Sequence, residues 1–291
     1  NVEGTVLDGC GNSAGGIIAG GSCDNVGGVL GGFESGTANA EIRNSYNLGT
    51  VAGQSNVGGI TGNTAGTAQK IKNSYNAGTV SGNSSIGGII GSSVADSIAN
   101  CIYERGATAD SLAVELESSK LKSWGAAWKL NGGKLSQGTE TGISWAQDAE
   151  NHNGYPYAVT GKLRDAENWE SVLQSAADGL VDITKPEGTP YQISTAEQLA
   201  WFAYQVNHME GMSGAQAVLT ADIDMKEAES KYKSAGRLKW EPIGKRGTAG
   251  YTGSFTSSNP ADPTDTHKIY QIQNLYVRAD GPAGVFGTVA G

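Results

Sequence analysis

Residues 42–62 read IRNSYNLGTVAGQSNVGGITG, and residues 71–91 read IKNSYNAGTVSGNSSIGGIIG. The two stretches are copies of one unit, because Asn44 and Asn73 begin the same Asn-Ser-Tyr-Asn motif 29 residues apart. Neither copy contains an acid–base pair, a metal-ligand spacing or the sequence frame of a catalytic nucleophile. A unit repeated at a fixed period is typical of proteins built from stacked repeats, so it predicts an architecture and not a chemical site.

Further copies of the unit flank this pair. Residues 2–21 match the latter part of the unit, and residues 23–32 add another Val-Gly-Gly-Val segment. A degenerate copy begins at Asn100. We therefore expect four or five related rungs between residues 2 and 103.

Each unit contains two short stretches with the character of a β-strand. In residues 71–82, β-branched and aromatic residues alternate with polar ones, which is typical of a half-buried strand. Stacked copies, with strands about 4.8 Å apart, place identical side chains above one another. We therefore expect Tyr46 to stack on Tyr75, and Ile60 and Ile89 to line one core.

Asparagine and glycine are assigned to corners and close contacts. We expect Asn44 and Asn73 at corners, where asparagine tolerates turn geometry and its amide bonds between rungs. Glycine pairs let the backbone turn or pack closely, and here they are Gly58, Gly59, Gly87 and Gly88. A leucine-rich repeat also suits a 29-residue period, but its leucine frame is missing and the glycine density disfavours a helix on the return side.

The composition indicates a β-rich chain with many tight turns. The 291 residues include 44 glycines and 7 prolines, and charged residues make up 17%. The net charge is −9 and no Lys/Arg cluster occurs, so we expect no nucleic-acid partner. No apolar run approaches the ~20 residues of a membrane span, so we expect no direct membrane insertion. Repeat-like sequence already begins at residue 1, without a signal peptide, which we interpret as a mature or excised segment of a longer protein.

The three cysteines are Cys10, Cys23 and Cys101. Their odd count and the lack of CxxC spacing imply neither a zinc site nor a disulfide framework. Two interpretations stay open. Cys10 and Cys23 pair if adjacent rungs bring them together, or the thiols are buried and act as small hydrophobic groups, which we favour.

The repeats resemble the GLUG-motif repeats of bacterial cell-surface and secreted proteins. In that family, Asn-Cys/Ser-Tyr-Asn-x-Gly-Thr-Val-x-Gly precedes Val-Gly-Gly-Ile-x-Gly. Residues 44–51 with 58–60 match this pattern, and so do residues 73–80 with 87–89. The resemblance implies an all-β-dominated fold, namely a parallel β-helix or β-solenoid of Gly-rich repeats, with short capping helices between two solenoid segments. It also implies an extracellular location, at the bacterial cell surface or secreted, and leaves the ligand, the handedness and the inward strand face open.

The repeat pattern ends after Glu104, which defines the predicted domains. Residues 1–108 are the repeat solenoid, and residues 109–163 are its helical and aromatic C-terminal cap. One or two short helices are predicted within 109–130, and Trp145 with Tyr155-Pro156 matches the position at which the family closes a solenoid. Such a cap covers the open end of the stack against strand addition. Residues 164–190 are predicted to be an amphipathic helix and a linker.

Residues 191–291 resemble the start of a second solenoid segment with an N-terminal helix. Ser194 is predicted to cap that helix, with Glu197 at the capping-box position. The following loop, residues 256–272, is longer than the family turn and carries two prolines, so it is the best local candidate for a specific contact. Its weak ligand-binding candidates are Asp262, Asp265 and His267.

Other candidate chemistry is outweighed by a structural interpretation. Asp222 and Asp224 are two residues apart and are expected to share one strand face. They could act as a carboxylate pair or as calcium ligands, but we favour the interpretation that they accept hydrogen bonds from turn amides. The six tryptophans lie outside the repeats, where packing is favoured over stacking on sugars. The histidines, which lack ligand spacing, are His152, His208 and His267. Thr50 and Thr79 recur in successive repeats, but a ladder of two without the Thr-x-Thr pattern is too short for ice binding.

We therefore predict a non-enzymatic extracellular module with a structural or adhesive role in a surface protein or filament. We expect no catalytic residue, no metal and no cofactor. The expected partners are copies of the chain, in tandem or end to end, or cell-surface glycans or proteins of a host, because in the family order the C-terminal AGVFG would continue into a rung like residues 2–21. The alternative is a carbohydrate-binding or carbohydrate-processing domain on a β-helix.

Overall fold

The computed structural model describes residues 4–34, 39–64, 69–92, 98–106, 113–135, 143–159, 165–233, 235–244, 250–258, 269–278 and 281–290. The chain divides into two compact units. The first is Asn1–Arg164 with Asp178–Leu180, and the second is Asp165–Ala177 with Val181–Gly291. The predicted repeat segment 1–108 and cap 109–163 thus fall in the first unit, and segment 191–291 falls in the second.

The repeats of the first unit fold as successive layers of short strands. The first layer is β1 Val6–Asp8, β2 Gly11–Asn12, β3 Ile17–Ala19, β4 Asp24–Gly27 and β5 Leu30–Gly32. The second layer is β6 Glu41–Arg43, β7 Tyr46–Asn47, β8 Thr50–Ala52, β9 Ser55–Gly58 and β10 Thr61–Asn63. The third layer is β11 Lys70–Lys72, β12 Tyr75–Asn76, β13 Val80–Ser81, β14 Ser84–Gly87 and β15 Ile90–Ser92. The fourth layer is partial, with β16 Ile98–Ala99 and β17 Ile102–Glu104.

Strands of successive layers pair in parallel and in register. The sheets run in the orders β1-β6-β11-β16, β2-β7-β12-β17, β3-β8-β13, β4-β9-β14 and β5-β10-β15. Tyr46 lies opposite Tyr75, and Ile42 lies opposite Ile71. The described part of the chain is therefore rich in short parallel strands, which agrees with an all-β-dominated class.

The layers correct two details of the repeat prediction. Each complete layer holds five short strands, where the alternation of polar and apolar residues predicted two stretches. Val6 pairs with Glu41, so residues 6–21 correspond to the beginning of the unit and not to its latter part. Residues 24–32 then complete that same layer, so the described residues hold three complete layers and a partial fourth, the lower of the predicted four or five rungs. Strands of two to four residues are too short to show their own periodicity.

The predicted corner role of asparagine is confirmed. Asn44, Asn73 and Asn100 occupy the same place in successive layers with φ angles of 51°, 51° and 52°. This left-handed conformation is one that asparagine adopts more readily than most residues. In the first layer the equivalent residue is Gly9, with φ of 68°. The chain thus turns between the first and second strands of each layer.

The glycine pairs are required for close approach and not for an unusual φ. A Cβ atom on Gly59 would lie 2.2 Å from the carbonyl oxygen of Gly88, and one on Gly88 would lie 2.3 Å from the ring of Tyr103. A Cβ on Gly58 would meet the Thr61 oxygen at 2.0 Å, and one on Gly87 would meet the Ile90 oxygen at 1.9 Å. Any side chain at these four positions would therefore separate adjacent strands.

The interior of the layers is lined by aliphatic columns. Ile42, Ile60, Ile71 and Ile89 are fully buried in one cluster, as expected for Ile60 and Ile89. A second cluster contains Val26, Val51, Val57 and Val80. Because the strands are in register, equivalent side chains such as Ile42 and Ile71 lie opposite each other in adjacent layers, which lets very short strands bury a continuous core.

The segment after the layers is a mixed helical and strand element. It begins with a strand that extends the sheet of β17, and two short helices follow within residues 109–130, as the sequence predicted. Its elements are β18 Val114–Leu116, α1 Ser118–Leu121, α2 Trp124–Leu130, β19 Ser144–Ala146 and β20 Tyr157–Val159. Strands β19 and β20 form an antiparallel pair.

The second unit also contains parallel strand pairs. Its elements are α3 Trp169–Ala177, β21 Tyr191–Ile193, α4 Ala196–His208, β22 Ala217–Leu219, β23 Ile223–Asp224, α5 Met225–Glu229, β24 Phe255–Ser257 and β25 Ile272–Gln273. The sheets are β21-β22-β24 and β23-β25. Single parallel bridges join Trp240 to Val277, Ile243 to Phe286 and Tyr251 to Val289.

The cap of helix α4 is one residue later than predicted. Thr195 is the N-cap residue, and its side-chain oxygen accepts from the backbone N–H of Gln198. The Gln198 side chain then accepts from the backbone N–H and the hydroxyl of Ser194, the residue before the cap, at 2.8 and 3.0 Å. Glu197 instead accepts a hydrogen bond from the Lys231 ammonium at 2.6 Å.

Candidate functional site

The predicted ligand candidates do not form a described site. Asp262, Asp265 and His267 lie outside the described residues. The other carboxylate pair, Asp222 and Asp224, is described and lies at the start of the pairing between β23 and β25.

Asp222 and Asp224 hold backbone turns, as their structural interpretation predicted. Asp222 Oδ1 accepts from the backbone N–H of Gln271 at 2.8 Å. Asp224 is the N-cap of α5 and accepts from two backbone N–H groups of that helix. Both oxygens of Asp224 also accept from the Asn274 side-chain amide at 3.0 Å, which is the main reason that the pKa of Asp224 is lowered. Both carboxylates therefore already have donors.

A cleft of about 270 Å³ lies beside this pair in the second unit. Its charged lining is Glu197, Asp222, Asp224, Glu227 and Lys231. The Lys231 ammonium is bound to Glu197, and the aspartates are bound to amides. In the described parts of the chain, no three His, Cys, Asp or Glu residues are grouped as a metal site would need.

The most highly organised polar feature is a column of asparagines inside the layers, Asn12, Asn47 and Asn76. Asn12 Nδ2 donates to Asn47 Oδ1 at 2.8 Å, and Asn47 Nδ2 donates to Asn76 Oδ1 at 2.7 Å. Asn47 also brackets the peptide of Gly49: it accepts from the N–H at 3.2 Å and donates to the C=O at 3.1 Å. Asn76 does the same with Gly78. Asn47 and Asn76 are fully buried, and Gly49 is buried as well, so Asn47 satisfies backbone groups that water cannot reach.

A second column consists of Cys10, Ser45, Ser74 and Cys101. Ser45 Oγ donates to the carbonyl two residues earlier in its own strand segment, and Ser74 does likewise, at 2.8 and 2.7 Å. The two thiols make the same kind of contact at longer distance. Cysteine and serine are therefore interchangeable here because each supplies one small donor to an i−2 carbonyl.

The cysteines do not form a disulfide. All three are thiols: Cys101 is buried, Cys10 is half-buried and Cys23 is exposed. The burial of Cys101 fits the favoured prediction of buried thiols, while the exposure of Cys23 corrects it. Cys10 and Cys23 belong to the same layer and to different sheets, so stacking does not bring them together.

A third column, of aromatic residues, faces away from the interior. The rings of Tyr46 and Tyr75 are stacked, with centroids 5.8 Å apart and an interplanar angle of 16°. Alternation along the strand places Ser45 and Asn47 on the opposite face. The Tyr75 hydroxyl donates to the Pro156 carbonyl at 2.7 Å, and burial, followed by Tyr46 and Tyr155, raises its pKa well above the usual range.

The segment after the layers packs along this tyrosine column. Trp145 is fully buried and lies edge-on to Tyr75 at 5.3 Å and to Tyr46 at 6.5 Å, so it contacts two successive layers. Its Nε1 donates to the corner carbonyl of Asn73 at 2.9 Å. The predicted cap therefore also covers the flank of the stack, because the large tyrosine rings project outward and leave an apolar surface there.

Two further tryptophans and two of the histidines have structural surroundings. Trp169 and Trp240 in the second unit are almost fully buried, as their packing interpretation predicted. His152 lies 5.3 Å from the Tyr46 ring. His208 pairs with Glu170 at 3.3 Å and stacks on Tyr204.

Comparisons with known proteins find no similarity that assigns a function: no family model, no curated protein and no solved structure matches the chain. Among the described residues, no helix has the length and apolar character needed to cross a membrane.

The sequence contained a signal for the asparagine and serine columns that its interpretation missed. Asn47, Asn76, Ser45 and Ser74 recur at the same 29-residue spacing as the corner asparagines. Only the corner asparagines were given a role, because the sequence does not state which face of so short a strand is interior.

Proposed function

We propose that this chain is a non-enzymatic β-solenoid module of the GLUG-motif kind, extracellular and bacterial, with a structural or adhesive role. Its parallel, in-register layers are the arrangement that such a solenoid requires. The columns of Asn, Ser and Tyr coincide with the residues that carry the resemblance to GLUG repeats. In this proposal the side chains that recur from repeat to repeat serve to contact the next repeat.

One observation carries the proposal: the recurring Asn and Ser side chains in the interior of the repeats make their hydrogen bonds within the stack. The amide of Asn47 makes four hydrogen bonds, all to the same or adjacent layers. A lyase or glycosidase on a parallel β-helix would need clustered acids in one groove, free to transfer protons. In the second unit, Asp222 and Asp224 are instead bound to turn amides.

The partners follow from the same interpretation. Repeats that stack on each other favour copies of the chain as partners, and the exposed flanks of the layers are available to glycans or proteins of a host surface. The net charge of −9 disfavours anionic partners such as nucleic acids.

Substrate screening tests the non-enzymatic role. The full chain is incubated with neutral and acidic polysaccharides, and both reducing ends and unsaturated products are measured. We expect no turnover. Turnover that is lost in Asp222→Asn or Asp224→Asn, with the thermal unfolding midpoint unchanged, would establish the carbohydrate-processing alternative. A glycan array with the same protein separates binding from processing: glycan binding without turnover supports an adhesive role.

Protease shaving of intact cells tests the location. If the chain is displayed at the cell surface, brief protease treatment of the source bacterium releases its peptides before any cytoplasmic marker appears. Peptides that are recovered only after lysis contradict an exposed location. Culture medium is analysed in parallel, since a secreted protein would be found there.

A further inference from the structure

Helix α4 of the second unit carries aromatic side chains on a face that is open to solvent. The core side of this helix is buried, for example at Phe202 and Val206. Trp201, Tyr204 and His208 lie at positions i, i+3 and i+7 on the neighbouring face, where Trp201 and Tyr204 are half-buried and His208 is exposed. The helix rises by roughly 10 Å from the first to the last of these residues, which is long enough to contact a short extended ligand.

Ring contacts hold these side chains in place and extend the face. The half-buried ring of Tyr191 lies edge-on to Trp201, with centroids 5.7 Å apart. The rings of Tyr204 and His208 are stacked, with centroids 4.4 Å apart. We define the aromatic surface as Tyr191, Trp201, Tyr204 and His208. Rings that are already fixed by packing lose little conformational entropy when a ligand packs on them.

A narrow groove between α3 and α4 adjoins the aromatic surface, because Tyr204 and His208 line both. Its volume is about 10 Å³, which is room for one water-sized group such as a hydroxyl. Trp169 also lines the groove and is only 2% exposed. Among the described residues, the buried indole N–H of Trp169 has no hydrogen-bond partner. An acceptor on a ligand that reaches this N–H would therefore stabilise the complex.

The polar part of the groove consists of acceptors with negative charge. Glu170 and Glu241 belong to its lining, and the described lining contains no lysine or arginine. Glu170 lies 3.3 Å from His208 Nε2, and Glu241 lies 3.3 Å from the ammonium of Lys239. Carboxylates at this position disfavour an anionic ligand, and they form strong hydrogen bonds with neutral donors.

We propose that the aromatic surface and the adjoining groove bind a short uncharged oligosaccharide. The apolar face of a sugar ring packs on the aromatic surface, and one hydroxyl enters the groove. That hydroxyl accepts from the Trp169 indole and donates to a carboxylate, because a hydroxyl has both a donor and acceptors. An organic cation would suit the rings and the carboxylates, but it could not accept from the indole N–H. The inference rests on the proposed adhesive role and names the partner and the surface of that role.

NMR of the full chain, labelled with nitrogen-15 on tryptophan, tests the proposal. The chain has six indole N–H signals, and the substitutions Trp169→Phe and Trp201→Phe identify two of them. The neutral probes are maltohexaose, cellohexaose and N-acetylchitohexaose, the anionic probe is hexagalacturonate and the cationic probe is tetramethylammonium. We expect at least one neutral probe to shift the signals of Trp169 and Trp201 and to leave that of Trp145, in the first unit, unchanged.

Three variants measure the contribution of each part by calorimetric titration with the neutral probe that binds. Trp201→Ala should weaken binding at least tenfold, because it removes a ring from the contact. Trp169→Phe should weaken binding about fivefold, because it keeps the packing and removes one hydrogen-bond donor. Tyr276→Ala is the matched control and should leave the affinity unchanged, since Tyr276 is a partly exposed aromatic residue of the same unit outside the proposed site.

Several results would overturn the proposal. They are no shift with any neutral probe, a preference for the anionic or cationic probe, or binding that Trp201→Ala leaves unchanged. If a variant is unfolded by circular dichroism, the shifts of the parent chain still decide, because they need no substitution at the surface. Absence of binding overturns this inference alone and leaves the proposed structural role in place. Cleavage of a bound probe, measured by new reducing ends, would instead overturn the proposed non-enzymatic function.

Discussion

Replacing Asn47 by alanine should destabilise the first unit far more than a typical substitution does. The Asn47 side chain is fully buried and makes four hydrogen bonds: one with Asn12, one with Asn76 and two with the peptide of Gly49. Gly49 is buried, so its N–H and C=O would lose a partner where water cannot replace it.

The expected magnitude follows from these bonds. At about 1 kcal/mol of net stability per hydrogen bond, Asn47→Ala should lower the free energy of unfolding by about 4 kcal/mol. Asn12→Ala is the matched control, because Asn12 is half-buried at the end of the same column and donates one hydrogen bond to it. Its expected cost is about 1 kcal/mol, since its side chain lies closer to solvent.

Hydrogen exchange in increasing urea is the appropriate assay. Tryptophan fluorescence would mix signals from both units, because tryptophans occur in each. Mass spectrometry of peptides within residues 39–64 reports the second layer alone. The reasoning is refuted if Asn47→Ala and Asn12→Ala change the free energy of unfolding by the same amount within about 0.5 kcal/mol, the usual scatter of surface substitutions.

Three further predictions concern the layers and their flank. Gly59→Ala should cause loss of folded protein, because the added Cβ would lie 2.2 Å from a backbone oxygen. Gly32→Ala is the control and should be tolerated, because the atoms nearest to its Cβ would be 3.5 Å away. The two variants are compared by thermal unfolding. Trp145→Ala should cost about 3–5 kcal/mol in the same assay, since it empties a fully buried site, and an unchanged midpoint would contradict the flank packing. Hydrogen bonds from Tyr157 and then Asn151 lower the pKa of Asp148 from 3.8 to about 2. The contribution of ionised Asp148 to the free energy of unfolding is therefore present above pH 3.8 and is lost as the pH falls toward 2. Asp148→Asn should remove this pH dependence in urea titrations, and an unaltered profile would count against the prediction.

The columns of the repeat were largely accessible from the sequence. An exact 29-residue spacing between two copies predicts which side chains stack, and Tyr46 on Tyr75 and Ile60 with Ile89 follow directly. The left-handed corners also follow, because asparagine at a turn has a physical reason to be there.

Other elements could not be predicted, and each has a physical cause. The five strands of a layer are two to four residues long, which is too short for periodicity to separate them. The first layer was aligned wrongly because Gly11 replaces the tyrosine of the motif and Gly9 replaces the corner asparagine. The shift of the helix cap from Ser194 to Thr195 is a difference of one residue between two equally good capping residues.

The sequence by itself determined that the chain repeats, which residues are equivalent between repeats, and that the repeats contain strands. Only the tertiary structure decided which face of each strand is interior. In that arrangement Asn47 lies inside and binds buried peptides, whereas Tyr46, one residue earlier, lies outside and receives Trp145. The reason is that successive side chains of a strand point in opposite directions, so the stacking of layers assigns adjacent residues of one motif to different environments.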